Sequence, residues 1–150
     1  MSAETPTVLL VEDNPDDVLL TRRAFAKVHS PAPLEVVVDG EEAIDYLRGA
    51  GTYADRERFP LPLLILLDLK LPRRSGFEVL EWLRGQPGLR RLPVVVLTSS
   101  GQSPDVNRAF DLGANSYLVK PVRLDDLVNL IKTLNLYWLL LNEKPDLQGA

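Results

Sequence analysis

A chain of 150 residues with 45% hydrophobic content and a formal net charge of −4 suits one domain with a single packed core. That acidic balance argues against a nucleic-acid surface, which needs a basic patch to neutralise phosphates. The lack of cysteine excludes disulfides, thiolate metal sites and cysteine nucleophiles. The longest apolar runs fall far short of the roughly 18 residues of a spanning helix, and the start, MSAETPT, has no charged segment leading into an apolar one. The expectation is a soluble cytoplasmic chain that engages neither membrane nor nucleic acid.

Aliphatic runs of strand length alternate with helical patterns along the chain. Thr7 to Glu12 (TVLLVE) forms the first expected strand. Asn14 then reads as an N-cap, Pro15 as the first helical residue, and the acids that follow suit a first turn. Leu34 to Asp39 is the second strand, followed by a helix closed by Gly49. Leu63 to Asp68 (LLILLD) is the third strand, with SGFEVLEWLRG as its helix. Leu92 to Ser99 is the fourth strand, and its helix is expected to start with Ser103 as cap and Pro104 at the first helical position, ending at Gly113. SYLVK is the fifth strand. A last helix runs from Arg123 to about Leu141, with Leu124, Leu127, Leu130, Ile131 and Leu134 on its apolar face.

Five such units, with near-continuous apolar strands, predict an open, doubly wound α/β fold. Strands of this kind are buried on both faces of a parallel sheet. One connection stands out. Gly49 to Pro62 exceeds the usual αβ loop of about 2–6 residues, and an extra short helix is expected near Ala54 to Arg58. The lone histidine, His29, falls near the end of the first helix and reads as a surface residue.

Ligand sites of such sheets form beyond the C-terminal strand ends. There the first strand leaves Glu12 and Asp13, the third Asp68, the fourth Thr98 and the fifth Lys120. An acid at the tip of a buried strand costs desolvation energy unless something compensates it. Three crowded carboxylates repel one another, and an intervening cation relieves that repulsion. Oxygen donors without histidine or cysteine favour a hard cation, Mg²⁺ above all, with Mn²⁺ able to replace it. Beside such a metal, Asp68 can act as a nucleophile towards phosphorus. Asp13 can bind the metal directly, and Glu12 directly or through water. Lys120 would pair with one phosphoryl oxygen and Thr98 would donate to another.

The stretches VLLVEDNPDD, LLDLKLPRRSGFEVL, VVVLTSS and ANSYLVKP resemble the receiver domain of two-component response regulators over roughly Thr7 to Leu134. The resemblance implies a flavodoxin-like five-stranded parallel sheet of order 2-1-3-4-5, helices on both faces, and an extended C-terminal helix. It implies that Asp68 accepts phosphate from a phosphohistidine on a sensor histidine kinase, so that the chain assists its own phosphorylation rather than turning over a separate substrate. It implies a metal held by Glu12, Asp13, Asp68 and the backbone carbonyl of Lys70, and a switch pair formed by Thr98 and Tyr117. The surface that changes would be the fourth helix, fifth strand and fifth helix. Lys70 departs from the polar side chain that many relatives carry there, and with Ser100 it bears on phosphate lifetime. The long segment before the third strand, LPRRSG and the tail LYWLLLNEKP resemble the stand-alone receivers that partner phytochromes, which implies a bacteriophytochrome-type kinase.

Other readings compete. A haloacid-dehalogenase-type hydrolase wants a second acid two residues after its nucleophile, where Lys70 stands. A dinucleotide-binding enzyme wants glycines after the first strand, and EDNPDD has none. A degenerate receiver that binds partners without being phosphorylated is the serious alternative. The whole chain, 1–150, reads as one receiver with a core of about 7–134 and a helical extension and tail over 135–150. No output domain is expected after Ala150. From Leu136 to Leu141 every residue is apolar, more than one buried face requires. A homodimer through the fifth helix and its extension is therefore expected, with Leu134, Tyr137, Trp138 and Leu141 among its contacts; the competing arrangement folds the extension back on its own domain.

Overall fold

A computed structural model describes residues 7–147. The opening stretch before Thr7 and the last three residues of the tail, both included in the single-domain reading, lie outside the described residues. Five strands, β1 (Val8–Val11), β2 (Leu34–Val37), β3 (Leu64–Leu67), β4 (Val94–Thr98) and β5 (Ser116–Val119), form one parallel sheet of order β2-β1-β3-β4-β5. Five helices connect or follow them: α1 (Pro15–Lys27), α2 (Gly40–Arg48), α3 (Gly76–Arg84), α4 (Ser103–Asp111) and α5 (Leu124–Leu134).

The alternating pleat explains why the strands read as unbroken apolar runs. Leu9, Val11, Ile65, Leu67, Val94 and Val96 point to one face, where Ala43, Leu47, Leu80, Leu83 and Ala109 of α2, α3 and α4 cover them. Val8, Leu10, Leu64, Leu66 and Val95 point to the other, under Ala24 and Phe25 of α1 and Leu127 and Ile131 of α5. Two cores thus sandwich the sheet. No helix among the described residues is long and apolar enough to cross a membrane.

The helix starts largely follow local chemistry. Asn14 caps α1, its Oδ1 accepting from the backbone N–H of Asp16 at 2.9 Å and Asp17 at 3.4 Å, with Pro15 as first helical residue. Ser75 and Glu78 form a reciprocal capping box at α3. At α4 the expectation needs correction. Gln102 occupies the cap position, with no side-chain cap bond, and Ser103 is already the first helical residue. The Ser100 hydroxyl binds the Asp105 carboxylate at 2.6 Å and accepts from the Gln102 N–H at 3.4 Å. The helix entry is thereby held from the preceding loop, and Ser103 has no cap to supply.

The long connection after α2 also differs from expectation. Its short helix is a 3₁₀ turn at Gly51–Ala54, starting three residues earlier than expected, and Asp55 to Arg58 form a turn around the Asp55 carboxylate. Arg56 explains why the segment is ordered. Its guanidinium donates to the carbonyls of Tyr46 (2.8 Å) and Leu47 (2.9 Å) in the last turn of α2, the first of which also accepts the Gly49 N–H at 3.2 Å. Tyr46, Tyr53 and Phe59 stack beside it, with ring centroids 4.9–6.0 Å apart. The segment walls a cavity of ≈ 400 Å³ that also touches Asp39 and Arg73.

Past Leu134 the last helix continues as a π-helical stretch, Asn135–Leu141. Closure of i to i+5 places residues five apart on one face, and Leu134 and Leu139 are both buried in the core under α1 and α5. Trp138 packs partly against the same core. Leu134, expected as a dimer contact, is thus an internal residue of its own chain, while Leu136, Tyr137, Leu140 and Leu141 are 52–66% exposed. His29 is exposed and takes a left-handed φ of 51° just after α1.

Candidate functional site

Register builds the site. Val11 of β1 lies opposite Leu67 of β3, so the residues that follow, Glu12, Asp13 and Asp68, leave the sheet side by side. Backbone bonds continue one step beyond the strands: Asp68 N–H donates to the Val11 carbonyl at 3.1 Å and Glu12 N–H to the Val37 carbonyl at 3.0 Å. Lys120 N–H donates to the Thr98 carbonyl at 2.7 Å, which anchors the fifth strand end beside the fourth. Gly76 lets α3 close against the site, since a Cβ there would stand 2.2 Å from the Asp68 carbonyl oxygen.

The side chains converge as expected. Asp68 is 7% exposed and is gripped from two sides. The fully buried Thr98 hydroxyl donates to Oδ1 at 2.8 Å, the Lys70 N–H to the same oxygen at 3.2 Å, and Lys120 Nζ to Oδ2 at 2.8 Å. Lys120 Nζ also lies 2.5 Å from Glu12 Oε1 and 2.9 Å from Asp17 Oδ2. Glu12 Oε2 accepts from the Asn14 N–H at 3.1 Å. Tyr117 stands apart, half-buried, its hydroxyl donating to the Ser100 carbonyl at 2.7 Å.

Burial and charge pull these groups in opposite directions. Burial pushes the Glu12 carboxyl up to about 7, reinforced by Asp68 and opposed by Lys120. Burial acts the same way on Asp68, but the Lys120 ammonium, the Thr98 hydroxyl and the Lys70 N–H outweigh it and hold Asp68 below the usual carboxylate range. Lys120 is raised above the ordinary lysine range, because its bonds to Asp68, Glu12 and Asp17 overcome its own desolvation. The result is an ionised, buried carboxylate with its charge aimed at a rim shared with a second acid.

One carboxylate oxygen each from Glu12, Asp13 and Asp68 lie within 4.8 Å of one another. Two are buried and Asp13 is exposed, so the cluster opens on one side to solvent. The all-oxygen donor set and the excess negative charge fit a hard divalent cation. Asp17 is the one site residue that the sequence reading did not place here. Its only signal was position: it is an acid in the first turn of α1, four residues after Asp13.

The comparisons with known proteins meet this geometry. The family model for the response regulator receiver domain matches residues 8–132. This chain is a response regulator receiver. It is 40% identical to the probable methanogenesis regulatory protein FilR2 of Methanothrix harundinacea, over 97% of this chain and 92% of that one. It is 39% identical to the response regulator Rcp1 of Synechocystis, over 88% of each chain. Among solved structures, the phosphorylated cyanobacterial phytochrome response regulator RcpA superposes with a TM-score of 0.87 at 38% identity, covering 95% of this receiver and all of RcpA. The Mn²⁺-bound form of Rcp1 superposes with a TM-score of 0.83 at 37% identity, covering 93% of this receiver and 99% of Rcp1. The sheet order of the receiver is the flavodoxin-like 2-1-3-4-5 anticipated from its sequence.

Proposed function

We propose that Asp68 is the phosphoryl acceptor of this receiver and that a sensor histidine kinase is the donor. The observation that carries the reading is the grip on Asp68: one oxygen bound by Thr98 and Lys70 N–H, the other by Lys120, beside the paired acids Glu12 and Asp13. In the reaction an Asp68 carboxylate oxygen bonds to phosphorus, the phosphorus–nitrogen bond of the phosphohistidine breaks with its electron pair left on nitrogen, and the imidazole departs neutral, carrying the proton of its other ring nitrogen. Lys120 then donates to a phosphoryl oxygen in place of Asp68 Oδ2, and Thr98 turns its hydroxyl to another. Glu12, Asp13, Asp68 and the Lys70 carbonyl would hold Mg²⁺, which offsets charge on the acids and on the transferred group; the Mn²⁺-bound Rcp1 structure supports a divalent ion of either kind.

Thr98 and Tyr117 form the switch. Movement of the Thr98 hydroxyl towards phosphate opens space beneath β4, and Tyr117 exchanges its bond to the Ser100 carbonyl for that space. The α4–β5–α5 surface then presents a different face. The kinase is a phytochrome-type photoreceptor, a reading supported by the likeness to RcpA. The receiver works in the cytoplasm, binds no nucleic acid itself, and forms a homodimer through α5 and its extension. Exposed Leu136, Tyr137, Leu140 and Leu141 support that assembly.

The deciding experiment is incubation with acetyl phosphate and Mg²⁺ followed by intact mass. Wild type gains one phosphoryl group and Asp68→Asn gains none. A wild type that binds Mg²⁺ yet takes up no phosphate would identify a receiver that signals by binding alone.

A further inference from the structure

The Lys120 ammonium has three N–H donors and finds three carboxylates, Glu12 Oε1 at 2.5 Å, Asp68 Oδ2 at 2.8 Å and Asp17 Oδ2 at 2.9 Å. Two of these belong to the site that register builds at the sheet edge. The third comes from α1 and stands outside the carboxylate cluster that fits a metal. Asp17 is well fixed to act from there. It is the third residue of α1, its N–H points at the Asn14 cap (3.4 Å), and its carbonyl accepts the Thr21 hydroxyl at 2.8 Å. An acid in a first helical turn ordinarily faces solvent and favours the helix dipole. This one reaches a lysine 103 residues away in the chain and leaves that lysine's side chain only 16% exposed.

We infer that Asp17 is a positioning residue for phosphoryl transfer, acting through Lys120. The inference rests on Asp68 being the acceptor. A lysine head rotates freely on a four-carbon stem, so a single partner does not set its direction. Held by Glu12 and Asp17, two of its N–H groups are spoken for and the third is directed at Asp68 Oδ2, where the oxygens of the incoming group collect. Phosphorylation of Asp68, which turns the carboxylate into an acyl phosphate, consumes only that third partner. The other two bonds persist, and the ammonium meets the phosphoryl group already oriented.

The test compares Asp17→Ala and Asp17→Asn in the full chain. Both are mixed with acetyl phosphate at saturating Mg²⁺ and followed by intact mass against wild type and Asp68→Asn. Asp17→Ala should slow phosphorylation about tenfold. Asp17→Asn keeps an acceptor oxygen without the charge and should stay within about threefold of wild type. The ¹⁵N signal of the Lys120 ammonium, protected from exchange in wild type and Asp17→Asn, should be lost in Asp17→Ala. Mg²⁺ affinity by calorimetry should be unchanged in both. Should circular dichroism show Asp17→Ala unfolded, Asp17→Ser replaces it, its hydroxyl too short to hold Lys120 and its effect expected to be the same. Phosphorylation of the Ala or Ser variant at the wild-type rate, or an Asn variant as slow as they are, overturns the assignment. Failure of wild type to take up phosphate, or uptake by Asp68→Asn, instead removes the acceptor reading and this inference with it.

Discussion

The Thr98 hydroxyl donates to Asp68 Oδ1 at 2.8 Å, with Thr98 fully buried at the end of β4. The switch hydroxyl and the acceptor carboxylate are therefore already joined before any phosphate arrives. Thr98→Ala removes one bond from a buried, ionised carboxylate that keeps Lys70 N–H and Lys120, a loss of about 1.5–3 kcal/mol. The variant should still accept phosphate, but amide shifts around Tyr117 on phosphorylation should shrink sharply in heteronuclear NMR. Unaltered shifts would dissociate Thr98 from the switch.

Lys120→Met leaves Glu12 and Asp68 facing each other without their shared cation. Removing one partner from a buried charge pair costs about 3–5 kcal/mol, and the residual exposure of the Lys120 side chain, 16%, places the loss towards the lower figure. Thermal unfolding should show a lowered midpoint that Mg²⁺ partly restores, because the ion replaces the missing positive charge. A ligand at a hundred times its dissociation constant adds about 2.7 kcal/mol. In Asp13→Asn the stabilisation by Mg²⁺ should largely vanish.

Gly76→Ala tests how α3 closes on the site. The added Cβ would meet the Asp68 carbonyl oxygen at 2.2 Å and the Leu69 Cα at 2.7 Å, backbone atoms that cannot step aside. Overpacking of this kind costs about 3 kcal/mol. Denaturant unfolding should show it, and Mg²⁺ affinity should fall with it because the Asp68 backbone is displaced.

The two faces of the C-terminal extension should respond differently. Leu139→Ala empties a buried position, 6% exposed, and should cost about 2–4 kcal/mol. Leu140→Glu and Leu141→Glu alter positions 66% and 64% exposed and should leave the unfolding midpoint nearly unchanged. By sedimentation they should convert the proposed dimer to monomer. Wild type already monomeric, with and without phosphate, would refute the dimer.

Tyr46 sets an alkaline limit. Burial pushes its phenol from 10.0 up to about 12, while its hydroxyl donates to the Pro60 carbonyl at 2.9 Å. Between those values the unfolded chain has released the proton and the folded chain keeps it. The unfolded state then binds fewer protons, so stability falls as pH rises. At about 1.4 kcal/mol per unit the loss approaches about 3 kcal/mol by pH 12. Tyr46→Phe should flatten this part of the stability profile; an identical slope would free Tyr46 of that role.

Much of the site was legible because it depends on local order. An aliphatic run ending in Asp68, an acid pair after β1, and Thr98 and Lys120 after β4 and β5 each mark a strand tip. Parallel register then places strand tips together whatever the helices do. Ser103 misled because a serine before proline has the right chemistry for a cap, while the loop bonds of Ser100 decide where α4 begins. Leu134 misled as a dimer contact because it sits where the apolar face of α5 runs into the all-apolar stretch Leu136 to Leu141, and sequence does not say where the inward face ends.

The alternation of strands with helices, the burial of the strands on both faces and the gathering of five polar groups at the strand tips follow from residue patterns, since unbroken apolar runs and the acids that end them are properties of short segments, whereas the strand order came from the family resemblance. The turn of Asp17 towards Lys120, the capping of α2 by Arg56 and the π-helical winding that buries Leu139 beside Leu134 belong to the tertiary structure. Each joins a long side chain, or a late helical turn, to a surface built by distant parts of the chain. Flexible side chains and frayed helix ends take their direction from whatever packs against them.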